Sequence, residues 1–335
     1  MTSLELPINQ PKSRWFRRLA LLTVVVVYIL VLLGGIVRST GAGMGCPDWP
    51  KCFGSWVPPT KESQLPSNYK EIFGQKLKGE VEFNPLKTWI EYLNRLFGAF
   101  TGLLIFGTLL ASTSFFRKDR PIFYVSLLAF VLVGFQGWLG SKVVSFELKP
   151  LMVTLHMLVA IVIVFVLLYV LARSYAGNLR IEKISNKPFL NKWLYWTIGL
   201  SLLQVIMGTQ VREAIDEVVK NMGYESRNQW ISAMDYRFYV HRSFSSVILA
   251  MHVGLIYFLR KNIEKSAFLY NLTTALMVIV VVEIGTGMVL AYLGMPAFAQ
   301  PIHLTLATVA LGLQFLSLLM LNSERVFSNR TFQLV

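Results

Sequence analysis

Eight apolar runs of about 20 residues each, near 20–37, 90–114, 122–144, 151–172, 193–211, 238–259, 268–293 and 302–322, constrain this chain more than any other feature. A run of that length with few charges must satisfy its own backbone N–H and C=O groups once it leaves water. A helix does this within one segment. The sequence therefore predicts an all-α polytopic membrane protein with eight transmembrane helices. Of 335 residues, 54% are hydrophobic and 15% charged, whereas soluble domains carry about 25% charged residues.

The formal net charge of +14 would suit a nucleic-acid partner, but its distribution points elsewhere. Lys12, Arg14, Arg17 and Arg18 precede the first run, and Arg117, Lys118 and Arg120 follow the second. Arg173, Arg180, Lys183, Lys187 and Lys192 follow the fourth, Arg260, Lys261 and Lys265 the sixth, and Arg325 and Arg330 the eighth. Basic residues thus fill alternate connections. The positive-inside rule places those connections and both termini in the cytoplasm. Lipid and small molecules are the expected partners, not nucleic acid. The short basic N-terminus has no small-residue cleavage site and no Arg/Ser-rich presequence, so the first run reads as a retained span in a bacterial inner membrane.

The chain repeats itself. "IEYLNRLFGAFTG" (90–102) and "FYVHRSFSSVILA" (238–250) share a Tyr-x-x-Arg frame that pairs Tyr92 with Tyr239 and Arg95 with Arg242. In that frame Asn94 stands where the later copy has His241, and Glu91 where it has Phe238. Arg38 after "GGIV" pairs with Arg212 after "GTQV", and Pro150 and His156 pair with Pro301 and His303. Gln136-x-x-x-Gly140, Gln204-x-x-x-Gly208 and Glu283-x-x-x-Gly287 echo one another. A repeat in the same orientation implies two pseudo-symmetric four-helix bundles, expected at 1–177 and 178–335. Glycines at four-residue spacing, such as Gly98 and Gly102, let helices approach closely, and packing alone explains them.

Ionisable residues inside a membrane are costly and draw attention to function. The four histidines are His156, His241, His252 and His303. His241 and His303 fall early in the sixth and eighth runs, on one level of the second half. Two imidazoles facing across a bundle core suit a six-coordinate haem. The alternative is a pair of histidines bonded to backbone or lipid headgroups. In the first half the same levels carry His156 and Asn94. Asn is a poor iron ligand, so a haem there would keep one weak or vacant face. Glu91, three residues earlier and about 60° away on the helix, would stand beside it as an acid/base, although a carboxylate near a helix N-terminus is also favoured by the macrodipole. His252, about 16 Å deeper than His241, has no repeat partner and reads as structural. Glu283 reads as a proton relay or a packing hydrogen bond. Arg38, Arg95, Arg212 and Arg242 gather at the expected outer ends, facing either haem propionates or lipid phosphates. Trp49, Trp56, Trp89 and Trp230 suit an interfacial belt, with some covering the first site.

Cys46 and Cys52, in "GMGCPDWPKCFG", lie in the long connection 38–88. The topology puts it outside, where a disulfide persists. Two free thiols or a metal pair are the alternatives, the latter without a nearby histidine.

The motifs "GGIVRSTGAGMGCPDW", "EYLNRLFGAFTG", "TLHMLVA", "FYVHRSFS" and "PIHLTLA", in this order from first helix to last, resemble the haem A synthase family. The resemblance implies oxidation of a haem O methyl group through an alcohol to a formyl group, giving haem A. It implies a haem b held by His241 and His303, a substrate site for haem O built from Glu91 and His156, and a cysteine pair found in part of the family. In the family a His follows the Glu by three residues. This sequence has Asn94 there, while His156 and Glu91 remain. Contact with a haem O synthase, with oxidase assembly factors, or with a second copy of the chain is expected from the same resemblance. The residues alone also admit a dihaem b-type cytochrome that only transfers electrons, and a haem-free transporter.

Overall fold

The computed structural model describes residues 11–74, 83–176, 184–223, 225–265 and 268–327. Arg180, Lys183 and Arg330, and the expected boundary between halves at 177/178, lie outside the described residues. Among the described residues the long elements are eight helices: α1 (Pro11–Ser39), α2 (Pro85–Ser112), α3 (Arg120–Ser145), α4 (Pro150–Tyr175), α5 (Lys187–Met222), α6 (Tyr236–Asn262), α7 (Phe268–Tyr292) and α8 (Ala299–Leu321). All eight are long and apolar enough to cross a membrane. The protein is all-α and multi-pass.

Local chemistry sets where the helices begin. Proline occupies the first turn of α2, α3, α4 and α5, where its missing N–H costs nothing. The side chain of Asn84 caps α2 by accepting from Lys87 N at 3.0 Å, and Asp235 caps α6 by accepting from Arg237 N at 3.0 Å.

Helix α5 departs most from the sequence expectation. Its apolar run stops at 211, yet the helix continues to Met222 and ends at Gly223 with φ +77°. Thirty-six residues span about 54 Å, well beyond the ~30 Å of bilayer hydrocarbon. The extension "VREAIDEVVKNM" is amphipathic rather than apolar. Val211, Ala214, Ile215 and Val218 pack on Trp230, Met234, Phe238 and Met295, while Glu213 and Glu217 face Arg237. A hydropathy threshold cannot see such a segment; a 3.6-residue period can.

In the first four helices each contacts its neighbour in sequence, and α1 contacts α4. In the last four the same holds, and α5 contacts α8. Helices α1 and α4 meet α8, and α4 also meets α5, so these four form the centre. Contact there is close: a Cβ on Gly35 would sit 2.8 Å from Pro301 Cα, and Phe165 stacks on Phe315 with centroids 4.4 Å apart. At the end of the bundle where the chain starts, two of the basic residues are buried in pairings. Arg17 donates to Ser174 O, and Arg173 meets Asp119 at 2.8 Å and Val326 O at 2.9 Å.

Candidate functional site

The polar residues collect at the other end of the bundle, beneath two caps. Over α2 lies the loop that follows α1. Cys46 and Cys52 form a disulfide, and Phe53, Tyr69 and Phe73 pack around it. The loop rests directly on the first turn of α2: a Cβ on Gly45 would sit 2.8 Å from Thr88 N, and Thr88 Oγ1 donates to Gly45 O at 2.9 Å. Only glycine allows that approach.

Glu91 is 4% exposed. Its Oε2 accepts from Cys46 N at 2.9 Å, and its Oε1 pairs with Arg95 one turn on. Arg95 also donates to Cys46 O at 3.1 Å, Asp48 O at 2.6 Å and Lys51 O at 3.1 Å. Thus Glu91 and Arg95 clamp the disulfide loop from below, and the guanidinium is spread over one carboxylate and three carbonyls. Burial leaves a carboxylate needing such partners, and the loop backbone supplies one of them.

The three histidines expected at this level share one construction. Each lies early in its helix, against a glycine of the preceding helix. The place of a Cβ on Gly140 is 3.4 Å from His156 Cε1, that on Gly208 is 3.4 Å from His241 Cε1, and that on Gly287 is 3.3 Å from His303 Cε1. Four residues before each glycine stands the echoed polar residue. Gln136 Nε2 donates to His156 O at 2.9 Å, and Gln204 Nε2 to His241 O at 3.1 Å. Glu283 reaches the ring instead, with Oε1 3.3 Å from His303 Nδ1. Thr286 Oγ1 donates to Glu283 O at 2.8 Å, so it accepts from His303 Nδ1 at 2.9 Å. That fixes the proton on Nδ1 and leaves the Nε2 lone pair for a ligand bond.

Several buried polar atoms at this level have no hydrogen-bond partner among the described residues: Asn94 Oδ1, His156 Nδ1, His241 Nδ1, Gln136 Oε1, Gln204 Oε1, Glu283 Oε2, Arg38 Nε and Gln300 Nε2. Buried polar atoms are rarely left so, and here they fall around the histidines and the outer arginines. Imidazoles with an uncommitted Nε2, each seated on glycine, with guanidinium and amide N–H groups toward the loop end, suit an iron porphyrin bearing carboxylates.

The outer arginines divide. Asp216 holds Arg38 at 2.6 Å and Arg212 at 2.7 Å, and Arg212 donates to Gln300 Oε1 and Arg38 O. This ties α1 to α5 and α8. Arg242 is exposed, with Phe238 and Tyr239 rings beneath it at 5.6 and 5.3 Å. Trp230 is buried in the second cap rather than at a lipid interface, with Nε1 donating to Gly223 O at 3.1 Å.

His252 lies in a separate polar layer. Nδ1 bonds Ile248 O at 2.8 Å, so Nε2 accepts from Gln314 Nε2 at 2.7 Å, and Gln314 also donates to Ser201 Oγ at 3.1 Å. Both ring nitrogens are engaged. Gln314 escaped the sequence reading, although it follows His303 by the same eleven residues that separate His252 from His241.

A family model described as cytochrome oxidase assembly protein, COX15-CtaA, matches residues 17–315. The chain is 32% identical over 162 residues to the heme A synthase of Shewanella oneidensis, a match covering 48% of this chain and 45% of that protein, about half its length. It is 22% identical over 329 residues to the heme A synthase of Rickettsia prowazekii, covering 90% of this chain and 95% of the relative. To that of Exiguobacterium sibiricum it is 27% identical over 203 residues, covering 58% and 60%.

Proposed function

This chain belongs to the COX15-CtaA family of cytochrome oxidase assembly proteins, and from that premise we propose that it is a haem A synthase of the bacterial inner membrane. Its substrate is haem O, and its reaction is two successive oxidations of one haem methyl group, through an alcohol to the formyl group of haem A. The observation that carries this reading is the repeated construction of an early-helix histidine on a glycine of the preceding helix, at His156, His241 and His303.

The two sets of four helices are the two repeats, 1–177 and 178–335, and the end rich in Lys and Arg is cytoplasmic. In the second half, His241 and His303 hold a resident haem b. Thr286 and Glu283 orient His303 from its far nitrogen. When bound, haem b supplies one-electron transfer. In the first half, His156 holds the iron of haem O. Glu91, fixed by Cys46 N–H and Arg95, presents a carboxylate to the substrate and serves as acid/base or as a counter-charge to a developing cation. Because its oxygens already accept from these donors, its orientation is set before substrate arrives. Arg38, Arg212 and Arg242 receive propionates at the outer ends, while Arg95 serves the loop.

A protein that only transfers electrons through a deeper second haem would need His252 as a ligand, and both its ring nitrogens are taken. The test is the identity of haems extracted from the purified protein made alongside a haem O source. Haem A or hydroxylated haem O, together with haem b, is the expected result. Haem b alone, despite abundant haem O, overturns the reading.

A further inference from the structure

Three of the four repeat positions at the haem level carry a histidine on a glycine. The repeat also locates the fourth. Gly34 precedes Arg38 by four residues, as Gly208 precedes Arg212. Asn94 precedes Arg95 as His241 precedes Arg242. Helices α1 and α2 are in contact, as α5 and α6 are. Yet a Cβ on Gly34 would meet no described atom within 4 Å, whereas its three counterparts would each meet an imidazole at 3.3–3.4 Å. The glycine seat is present and no ring fills it.

Resting on the functional reading above, we infer that the substrate haem in the first half is bound through His156 alone, and that the opposite iron face opens beside Gly34 and Asn94 to admit a small exogenous ligand. An amide side chain is shorter than an imidazole, and its oxygen is a weak donor to iron compared with a ring nitrogen. Asn94 Oδ1 is buried and has no hydrogen-bond partner among the described residues, an acceptor that a ligand carrying a hydrogen would satisfy. Water and free imidazole carry such a hydrogen, while cyanide and carbon monoxide test the open iron face without one. The second half, with both seats filled, admits none of them. One chain thus carries a closed site and an open one, and the difference at the fourth seat is Asn94 in place of a histidine.

The experiment is electron paramagnetic resonance and carbon monoxide difference spectroscopy on the full-length protein, purified from cells supplying haem O, with haem quantified per chain. The expected result is one low-spin and one high-spin haem, with carbon monoxide taken up by the second alone. Asn94→His converts the high-spin signal to low-spin and abolishes carbon monoxide uptake. Gly34→Leu fills the seat and weakens uptake at least tenfold. The low-spin signal of the second half reports in every variant that the protein has folded. Two low-spin haems with no carbon monoxide uptake, unaltered by Asn94→His, overturn the inference and leave the two-haem reading standing. A chain holding haem b and no haem in the first half overturns the functional reading itself, and the inference with it.

Discussion

The backbone N–H of Cys46 donates to Glu91 Oε2 at 2.9 Å, so the membrane carboxylate and the disulfide loop are one unit. Arg95 closes that unit, since it reaches both Glu91 Oε1 and the carbonyl of the same cysteine. A residue read from sequence as an acid/base, or as a carboxylate favoured by a helix N-terminus, is held by the backbone of Cys46, 45 residues earlier.

Glu91→Gln keeps an oxygen to accept from Cys46 and removes the charge. Haem b content is expected to stay at the level of the unaltered protein while haem A formation falls by about 100-fold or more, the range for a lost acid/base group. Chromatography of extracted haems measures both. Normal haem A yield would remove Glu91 from the chemistry.

Arg95→Ala leaves a 4%-exposed carboxylate without its ion partner and three loop carbonyls without a donor. Removing one member of a buried pair costs about 3 kcal/mol. Part of that cost should appear as loosening of the loop rather than global unfolding. Limited proteolysis within 40–74 is expected to become rapid while the spectrum of the second-half haem is retained. Unchanged cleavage would mean that the clamp is dispensable.

Cys46→Ser with Cys52→Ser opens a covalent ring closed at a sequence separation of 6. Chain-entropy arguments give about 2 kcal/mol for so short a loop. Hydrogen exchange at the amides of 45–54 is expected to rise, with Cys46 N–H losing its protection first and α6–α8 unaffected. Exchange that rises equally across α6–α8 would contradict a local role.

Thr286→Val removes the acceptor that sets the proton on His303 Nδ1. Loss of an orienting partner typically costs 10–100-fold in affinity. Haem b is expected to remain detectable but to dissociate faster, with shifted low-spin g-values. Gly287→Ala presses a methyl against the same ring and should give a shift of its own. His303→Ala abolishes the low-spin signal. A spectrum unchanged by all three would exclude His303 as a ligand.

The eight helices were legible because each announces itself through bilayer-length hydrophobicity. The levels of His156, His241 and His303 followed from counting residues from helix starts. Three features escaped a reading by hydropathy and residue count, and for one reason: they depend on which side chain faces which. The extension of α5 to Met222 is polar on one face, and only its fit against Trp230 makes it a helix worth ordering. Arg95 and Arg242 occupy equivalent places in the repeat, yet the disulfide loop claims the first and leaves the second exposed over two aromatic rings. Glu283, read as a proton relay or a packing hydrogen bond, gave no sign of its partner, but α7 ends at the same side as α8 begins. A residue counted forward from one and another counted back from the other therefore meet.

The two caps differ in kind. Over the first half, ion pairing and a cross-link anchor the cover to α2. Over the second, apolar side chains from α5, α6 and the segment around Trp230 pack together, with Arg237 paired to Glu213 and Glu217 and no cross-link. The chain's two cysteines both lie in the first cover, so a reductant finds no cross-link to break in the second. A cover anchored by charge and sulfur answers to reductant, so it can be loosened and refastened. Only the first of the two covers is thus sensitive to the redox state of its surroundings.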